Sequence, residues 1–569
     1  MTHASDEQAL RPGIGSALRD LAARVHATRF PLRTPDGVRG HELVRSIGDQ
    51  LDDYLLPRLA HADAPLLVVV GGSTGAGKST LVNSMIGAEV SAASALRPTT
   101  RWPVLVHNPA DSAHFGDPAR VLPGLRRVAR SEQRGDDPQL RLVSSEAVPP
   151  GLALIDSPDI DSVEADNRAL ARQLLAAADL WLFVTTAARY ADAMPWELLA
   201  DCSERGTAVA IVLDRVPAAA NREVRHHLGE LLAAQGLESA PIFTVPELNL
   251  RDGMIPDAAI FPLQSWVLNL GRSERARERV MARTLAGALR AVPPRIEALA
   301  DCAAEQEAAH DGLSRSVDVA FAHAADELAR ALVGGRALRG EVLARWQDFV
   351  GAGQFFRGLE PTVARLRDRI TSAVTGRRDT AEPLENAIAG AVSVLVREQA
   401  VEAVAATSRQ WQDSPAGAAI VQANPEMTRL PADFDARLRA LVGEWIDDVN
   451  KLVGEVGQSK RARARILSFG VNGVAAVLMI GVFCGIGGDR GPQQRTSTAL
   501  VADKLLVTIF GEDVTRDLAI TARRSLLTDA GALLRACRAP YDHALAVSEV
   551  PARQAGALRG AAARLEELL

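Results

Sequence analysis

The sequence predicts an α/β domain built on a mostly parallel sheet flanked by helices, followed by an extended all-α region with a late apolar segment. Three observations carry this. Between residues 66 and 265 short apolar runs alternate with helical stretches. Beyond about residue 270 alanine, leucine and arginine crowd the chain, a mixture that favours helices. From Ile466 to Gly488 the run ILSFGVNGVAAVLMIGVFCGIGG carries no charge over about 23 residues, long enough to cross a bilayer as a helix.

At 569 residues the chain exceeds one ordinary core. Its 47% hydrophobic and 24% charged residues are the balance of a globular protein. Residues 1–64 read as helices that pack on a stalk or neck: Leu43, Ile47, Leu51 and Leu55 recur every four residues, and Pro57 and Pro65 end the pattern. Residues 65–270 form the α/β domain, with strands expected at Leu66–Val70, Val104–His107, Leu152–Ile155, Leu180–Thr185, Ala208–Leu213 and Ile242–Val245. These runs are nearly all apolar, as in strands buried on both faces of a parallel sheet. Helices are expected at Ser79–Ile86, Asn167–Ala178 and Arg222–Gln235. Residues 271–465 read as a helical bundle or stalk, interrupted at Pro293-Pro294, Gly334-Gly335 and around Gly351–Gly358. The apolar segment spans 466–488, and helices over 489–569 are expected to return to the stalk.

A net charge of −6 gives no support to a nucleic-acid partner. The four cysteines are scattered without a C-x-x-C pair, which points to neither a disulfide framework nor a zinc site and fits a reducing cytosol. The first residues, MTHASDEQAL, lack a basic stretch leading into an apolar core, so no signal peptide is expected.

The chemistry is carried by Gly72-Ser73-Thr74-Gly75-Ala76-Gly77-Lys78-Ser79, which satisfies G-x-x-x-x-G-K-[ST] between an apolar strand and a helix start at Thr80. Glycines let the backbone curl so that its N–H groups point at phosphate oxygens, and the helix start adds unpaired donors. In this pattern Lys78 reaches the β- and γ-phosphates, and Ser79 offers its hydroxyl to Mg²⁺. Asp156 ends the apolar run Leu152–Ile155, where such proteins place a carboxylate for the Mg²⁺ shell; the bland alternative is a helix cap. About twenty residues after the lysine stands Arg97-Pro98-Thr99-Thr100. A threonine there can coordinate Mg²⁺ and bond the γ-phosphate, with Thr100 preferred to Thr99, although turns are rich in threonine in any case.

With these elements the chain resembles the translation-factor-related GTPases and, among them, the bacterial dynamin-like proteins. Gly77–Asn83 looks like the first GTPase motif, Arg97–Thr100 like switch I, and Asp156–Asp159 like the D-x-x-G motif of switch II. The base-reading motif N/T-K-x-D corresponds to Asp214-Arg215-Val216-Pro217, which places Asp214 and Arg215 at the nucleotide. Three departures from the family pattern stand out. Asp159 stands where D-x-x-G has glycine, Pro217 where the base-reading aspartate belongs, and Thr74 and Gly75 where eukaryotic dynamins hold polar catalytic residues. Transporter-type ATPases place a glutamate after the metal-binding aspartate; here that residue is Ser157, and no LSGGQ-like signature follows.

The resemblance implies a membrane-associated GTPase that hydrolyses GTP with Mg²⁺, Lys78 and Thr100 acting in catalysis. It also implies GTP and GDP as ligands, a lipid membrane as partner, and assembly with itself or with a related GTPase at the inner face of the cell membrane. The alternative is a nucleotide-binding regulatory switch, or an ATPase with relaxed base specificity and little hydrolysis. The apolar segment admits a transmembrane helix, a membrane-inserting hairpin or a buried core helix. Its basic flank of Lys460, Arg461, Arg463 and Arg465 suits a cytoplasmic side and anionic lipid. Amphipathic helices after it, with Val501, Leu505 and Ile509 in register, favour the hairpin over a single crossing.

Overall fold

The computed structural model describes residues 13–61, 63–91, 102–118, 120–122, 124–129, 139–159, 165–351, 381–456, 470–486 and 497–569. They divide into two compact units. The first takes residues up to Phe30, Asp36–Glu305 and Pro551–Leu569; the second takes Pro31–Pro35 and Gln306–Val550.

The first unit is organised by an eight-stranded sheet: β1 Leu66–Gly72, β2 Val104–His107, β3 Arg126–Ala129, β4 Gln139–Ser144, β5 Leu152–Asp156, β6 Leu180–Thr186, β7 Ala208–Val216 and β8 Ile242–Pro246. The strand order is β3-β4-β2-β5-β1-β6-β7-β8. Every pairing is parallel except that of β2 with β5. The continuous apolar runs follow from two covered faces. Leu67, Val69, Ile155, Trp181 and Phe183 pack with Leu174 and Leu199 on one side. Leu66, Val68, Val70, Leu154 and Leu182 pack with Leu81, Met85 and Leu263 on the other. With side chains alternating along each strand, neither parity can be polar. Strands β3 and β4 are additions to the expected set. Their sequences RRVA and QLRLVS mix arginine with apolar residues, as suits positions at and next to the sheet edge.

A helical layer completes this unit. Leu18, Leu21 and Val25 of Ile14–Ala27 share a core with Ile47, Leu51, Leu55, Val292 and Ile296. The last helix, Gln554–Glu566, packs in the first unit, against residues 292–301 among others. Its buried stripe of Ala555, Leu558, Ala561 and Leu565 joins that same core. Arg559 pairs with Glu297 at 2.7 Å and Asp301 at 2.5 Å.

Glu274–Val333 is a single 60-residue helix that runs through Pro293 and Pro294, where a break was expected. Val292 and Ile296 beside the prolines are fully buried, so packing outweighs the two lost backbone bonds.

The second unit is all-helical over its described residues. Large aromatics anchor it, and their polar ends are bonded. Trp445 Nε1 donates to Ala522 O at 2.9 Å, Trp411 Nε1 to Ser316 Oγ at 2.9 Å, and Tyr541 Oη to Met427 O at 2.7 Å. The described part of the late apolar segment, residues 470–486, holds the 13-residue helix Val471–Phe483, buried throughout from Gly473 to Phe483. Trp445 lies against Phe483, and a Cβ at Gly481 would meet Leu506 at 3.1 Å. Here the transmembrane reading is corrected: no described helix is long and apolar enough to cross a membrane. Hydropathy reads burial in protein and burial in lipid alike. The basic flank at 460–465 lies outside the described residues.

Candidate nucleotide site

The site forms at the carboxyl ends of β1 and β5, with β5 and β6 on either side of β1. Ligands in open α/β sheets bind at that end of the strands. Residues 72–80 leave β1 and enter the helix Lys78–Ile86. Two glycines are dictated by geometry. A Cβ on Gly72 would lie 1.9 Å from the carbonyl oxygen of Val184. Gly77 has φ +87°, and a Cβ there would lie 2.8 Å from Asp214 Oδ2. Gly75 is exposed at the tip of the loop and Ala76 is buried beneath it.

Lys78 folds back over the loop it follows. Its Nζ donates to Gly72 O at 3.0 Å and Ser73 O at 3.1 Å, and it pairs with Asp159 Oδ1 at 2.5 Å. Asp156 Oδ2 accepts from Ser79 Oγ at 2.6 Å and from Ser91 Oγ at 2.5 Å. Its other oxygen, Oδ1, is buried with no hydrogen-bond partner among the described residues. Burial pushes the Asp156 carboxyl above its usual range, against the two hydroxyl bonds and the Lys78 charge, while Asp159 adds to the rise. A half-satisfied buried carboxylate is costly to keep, and a hard divalent cation would satisfy it. Among the described residues no group of three His, Cys, Asp or Glu side chains gathers to hold a metal.

The expected residues Gly72 through Thr80 and Asp156 thus come together. Asp214 joins them beside Gly77, nearly buried at the end of β7, where desolvation raises its carboxyl and the backbone N–H of Arg215 opposes the rise. Arg215 adopts φ +53° with its Nε 3.7 Å from Asp214 Oδ2. Thr100, with Arg97 and Thr99, lies outside the described residues.

Three participants escaped the sequence reading. Arg189, after β6, donates to Thr74 O at 3.1 Å. Ser91 bonds Asp156 from twelve residues beyond the loop, and no local pattern marks it. Asn83, noted only as part of a motif, holds the backbone at both Val90 and Ser91: its Oδ1 accepts from their N–H groups at 2.9 and 3.0 Å, and its Nδ2 donates to Ser91 O at 2.7 Å. His226 and His227 bear on surface contacts instead, His226 pairing with Glu230 at 3.4 Å and His227 with the Tyr190 hydroxyl at 2.8 Å.

Residues 68–214 match the model of the dynamin family, from within β1 to Asp214. Among solved structures, two chains of an oligomerised bacterial dynamin pair, described as sensing and tethering membranes over long range, are similar at 10% identity. One has a TM-score of 0.43 and covers 100% of this chain and 96% of that one. The other has a TM-score of 0.38 and covers 99% and 95%. Toc33 from Arabidopsis thaliana, in complex with Mg²⁺ and GMPPNP, shows 16% identity and a TM-score of 0.25 over 40% of this chain and 94% of its own. No curated protein matches. At these scores the structural likenesses carry no weight, and what the comparisons show is a match to the dynamin family over residues 68–214, the stretch that holds the loop, Asp156 and Asp214.

Proposed function

We propose that the chain is a membrane-associated GTPase that binds GTP with Mg²⁺ at Gly72–Ser79 and couples hydrolysis to conformational change or assembly at a membrane. The observation that carries the nucleotide half is the constellation of Lys78, Ser79 and Asp156, with one carboxylate oxygen buried and unpaired. Backbone N–H groups of residues 73–80 cradle the phosphates, and Lys78 neutralises the terminal ones. Ser79 and Asp156, with Thr100, would hold Mg²⁺, which would supply charge neutralisation for phosphoryl transfer. Asp214 and Arg215 flank the base side.

The membrane half is supported by the sequence around the apolar segment. Its helix of 13 residues rises only about 20 Å, short of a hydrocarbon core of about 30 Å. That helix is packed in the helical unit, so the membrane contact proposed is the one its basic flank, Lys460, Arg461, Arg463 and Arg465, makes with anionic head groups on the cytoplasmic face. Self-assembly, or pairing with a related GTPase, belongs to the same reading. The test is phosphate release from GTP with and without vesicles of mixed anionic and neutral phospholipid. Stimulation by the vesicles supports the reading; identical turnover together with no co-sedimentation contradicts the membrane half.

A second reading is favoured by Pro217, whose side chain has no acceptor for the hydrogen bonds of a guanine edge. In it the head accepts ATP as well. Competition of labelled GTP by ATP separates the two, since equal competition supports relaxed base specificity.

A further inference from the structure

Asp159 makes a contact that the nucleotide reading does not use. It follows β5 by three residues and stands where the related motif carries glycine, so its carboxylate adds a charge at the phosphate end of the site. The Lys78 ammonium has three N–H donors, and three acceptors meet them: the carbonyls of Gly72 and Ser73 and the carboxylate of Asp159. The ion pair is 2.5 Å long, with side-chain exposure of 5% at Lys78 and 27% at Asp159. A short, largely shielded pair of this kind is among the stronger hydrogen bonds a protein makes.

The three acceptors are not equivalent. The two carbonyls belong to the loop that wraps the phosphates. Asp159 alone is a side chain able to swing aside, and it alone carries the same sign of charge as a phosphate. A terminal phosphate that engages Lys78 must therefore displace Asp159 or bind against its charge.

We infer that Asp159 competes with the nucleotide's terminal phosphates for Lys78, so that it weakens nucleotide affinity and speeds nucleotide release. The carboxylate takes over the ammonium as the phosphate departs, which spares the head a buried, unpaired lysine. The head thereby exchanges its nucleotide quickly by means of its own residue. Asp159 is a positioning residue for Lys78 and takes no part in bond making.

The inference rests on the nucleotide reading of Gly72–Ser79, and one experiment separates their fates. Release of a fluorescent GDP analogue, with Mg²⁺, is followed by stopped flow in wild type, Asp159→Asn and Asp159→Glu, beside KM for GTP. The melting temperature of each variant confirms that it is folded. Asp159→Asn removes the charge and keeps the shape; its release is expected to slow about tenfold and its KM for GTP to fall to match, one decade per 1.4 kcal/mol. Asp159→Glu keeps the charge and is expected to stay within about twofold of wild type, an order-of-magnitude allowance for a conservative change. A merely structural role predicts instead that both variants shift melting and that neither shifts release selectively. Release from Asp159→Asn at the wild-type rate or faster overturns the inference while leaving the nucleotide reading intact. Failure of wild type to bind the analogue at all overturns both.

Discussion

The polar atoms around the nucleotide loop and those in the helical unit are buried to similar depth but treated differently. In the helical unit the indoles of Trp411 and Trp445 each donate to an acceptor, and the Tyr541 hydroxyl meets Met427 O, Val404 O and Ser408 Oγ. Around the loop, Ser73 Oγ, Asp156 Oδ1, Thr185 Oγ1 and Trp181 Nε1 are buried with no hydrogen-bond partner among the described residues. Such atoms are not confined to the loop, since Asn450 Oδ1 in the helical unit is also buried with no hydrogen-bond partner among the described residues, but several gather around the loop, and each one left over costs about 1–3 kcal/mol. A ligand site tolerates the cost and recovers it on binding.

The largest effect that would sharpen this contrast is at Lys78. Lys78→Ala removes the cation that meets the terminal phosphates, and GTP turnover should fall by about 10²–10³ in a phosphate-release assay, as for loss of one preorganised charge-stabilising group. Turnover within a factor of two of wild type would remove the loop from the chemistry.

A second test asks whether burial without a ligand role leaves its own signature. Asp53, in the helical layer of the first unit, is pushed up to about 7, chiefly by burial and then by Asp49, while a bond from Gln173 opposes the rise. Its folded value exceeds the unfolded one, so the folded state holds the proton longer. The stabilisation is complete below about pH 4 and is lost as pH rises through 7. Urea unfolding of wild type across that window should show stability declining with pH. Asp53→Asn should remove this component of the decline, and an unchanged slope in the variant would show that Asp53 is not its source.

The smallest effects probe single hydroxyls in the two regions. Tyr541→Phe strands carbonyl oxygens in the helical core and should cost about 1–2 kcal/mol by denaturant unfolding. Thr185→Val breaks no bond of Oγ1 and should cost about zero, or stabilise slightly. Equal costs at the two positions would dissolve the contrast.

Much of the head is legible in its sequence because its signals are local. Leu66–Gly72 reads as a strand since both of its faces are covered, and the loop is marked by glycines that its own backbone geometry requires at positions 72 and 77. What escaped is what folding brings from afar. Ser91 reaches Asp156 across 65 residues and Asp159 reaches Lys78 across 81, and no spacing rule foretells either contact. Arg126–Ala129 and Gln139–Ser144 were missed because strands near a sheet edge keep a polar side. The helix Val471–Phe483 shows the converse, a clear signal with two meanings. Eleven consecutive buried residues satisfy the same hydropathy that a bilayer would demand.

The central claim is tested most directly by calorimetric titration of GTP into the wild-type protein and into Asp156→Ala, each with and without Mg²⁺. The account predicts Mg²⁺-strengthened binding by wild type, and weaker binding by the variant that Mg²⁺ no longer improves. Binding indifferent to both Mg²⁺ and Asp156, or no binding at all, would contradict it.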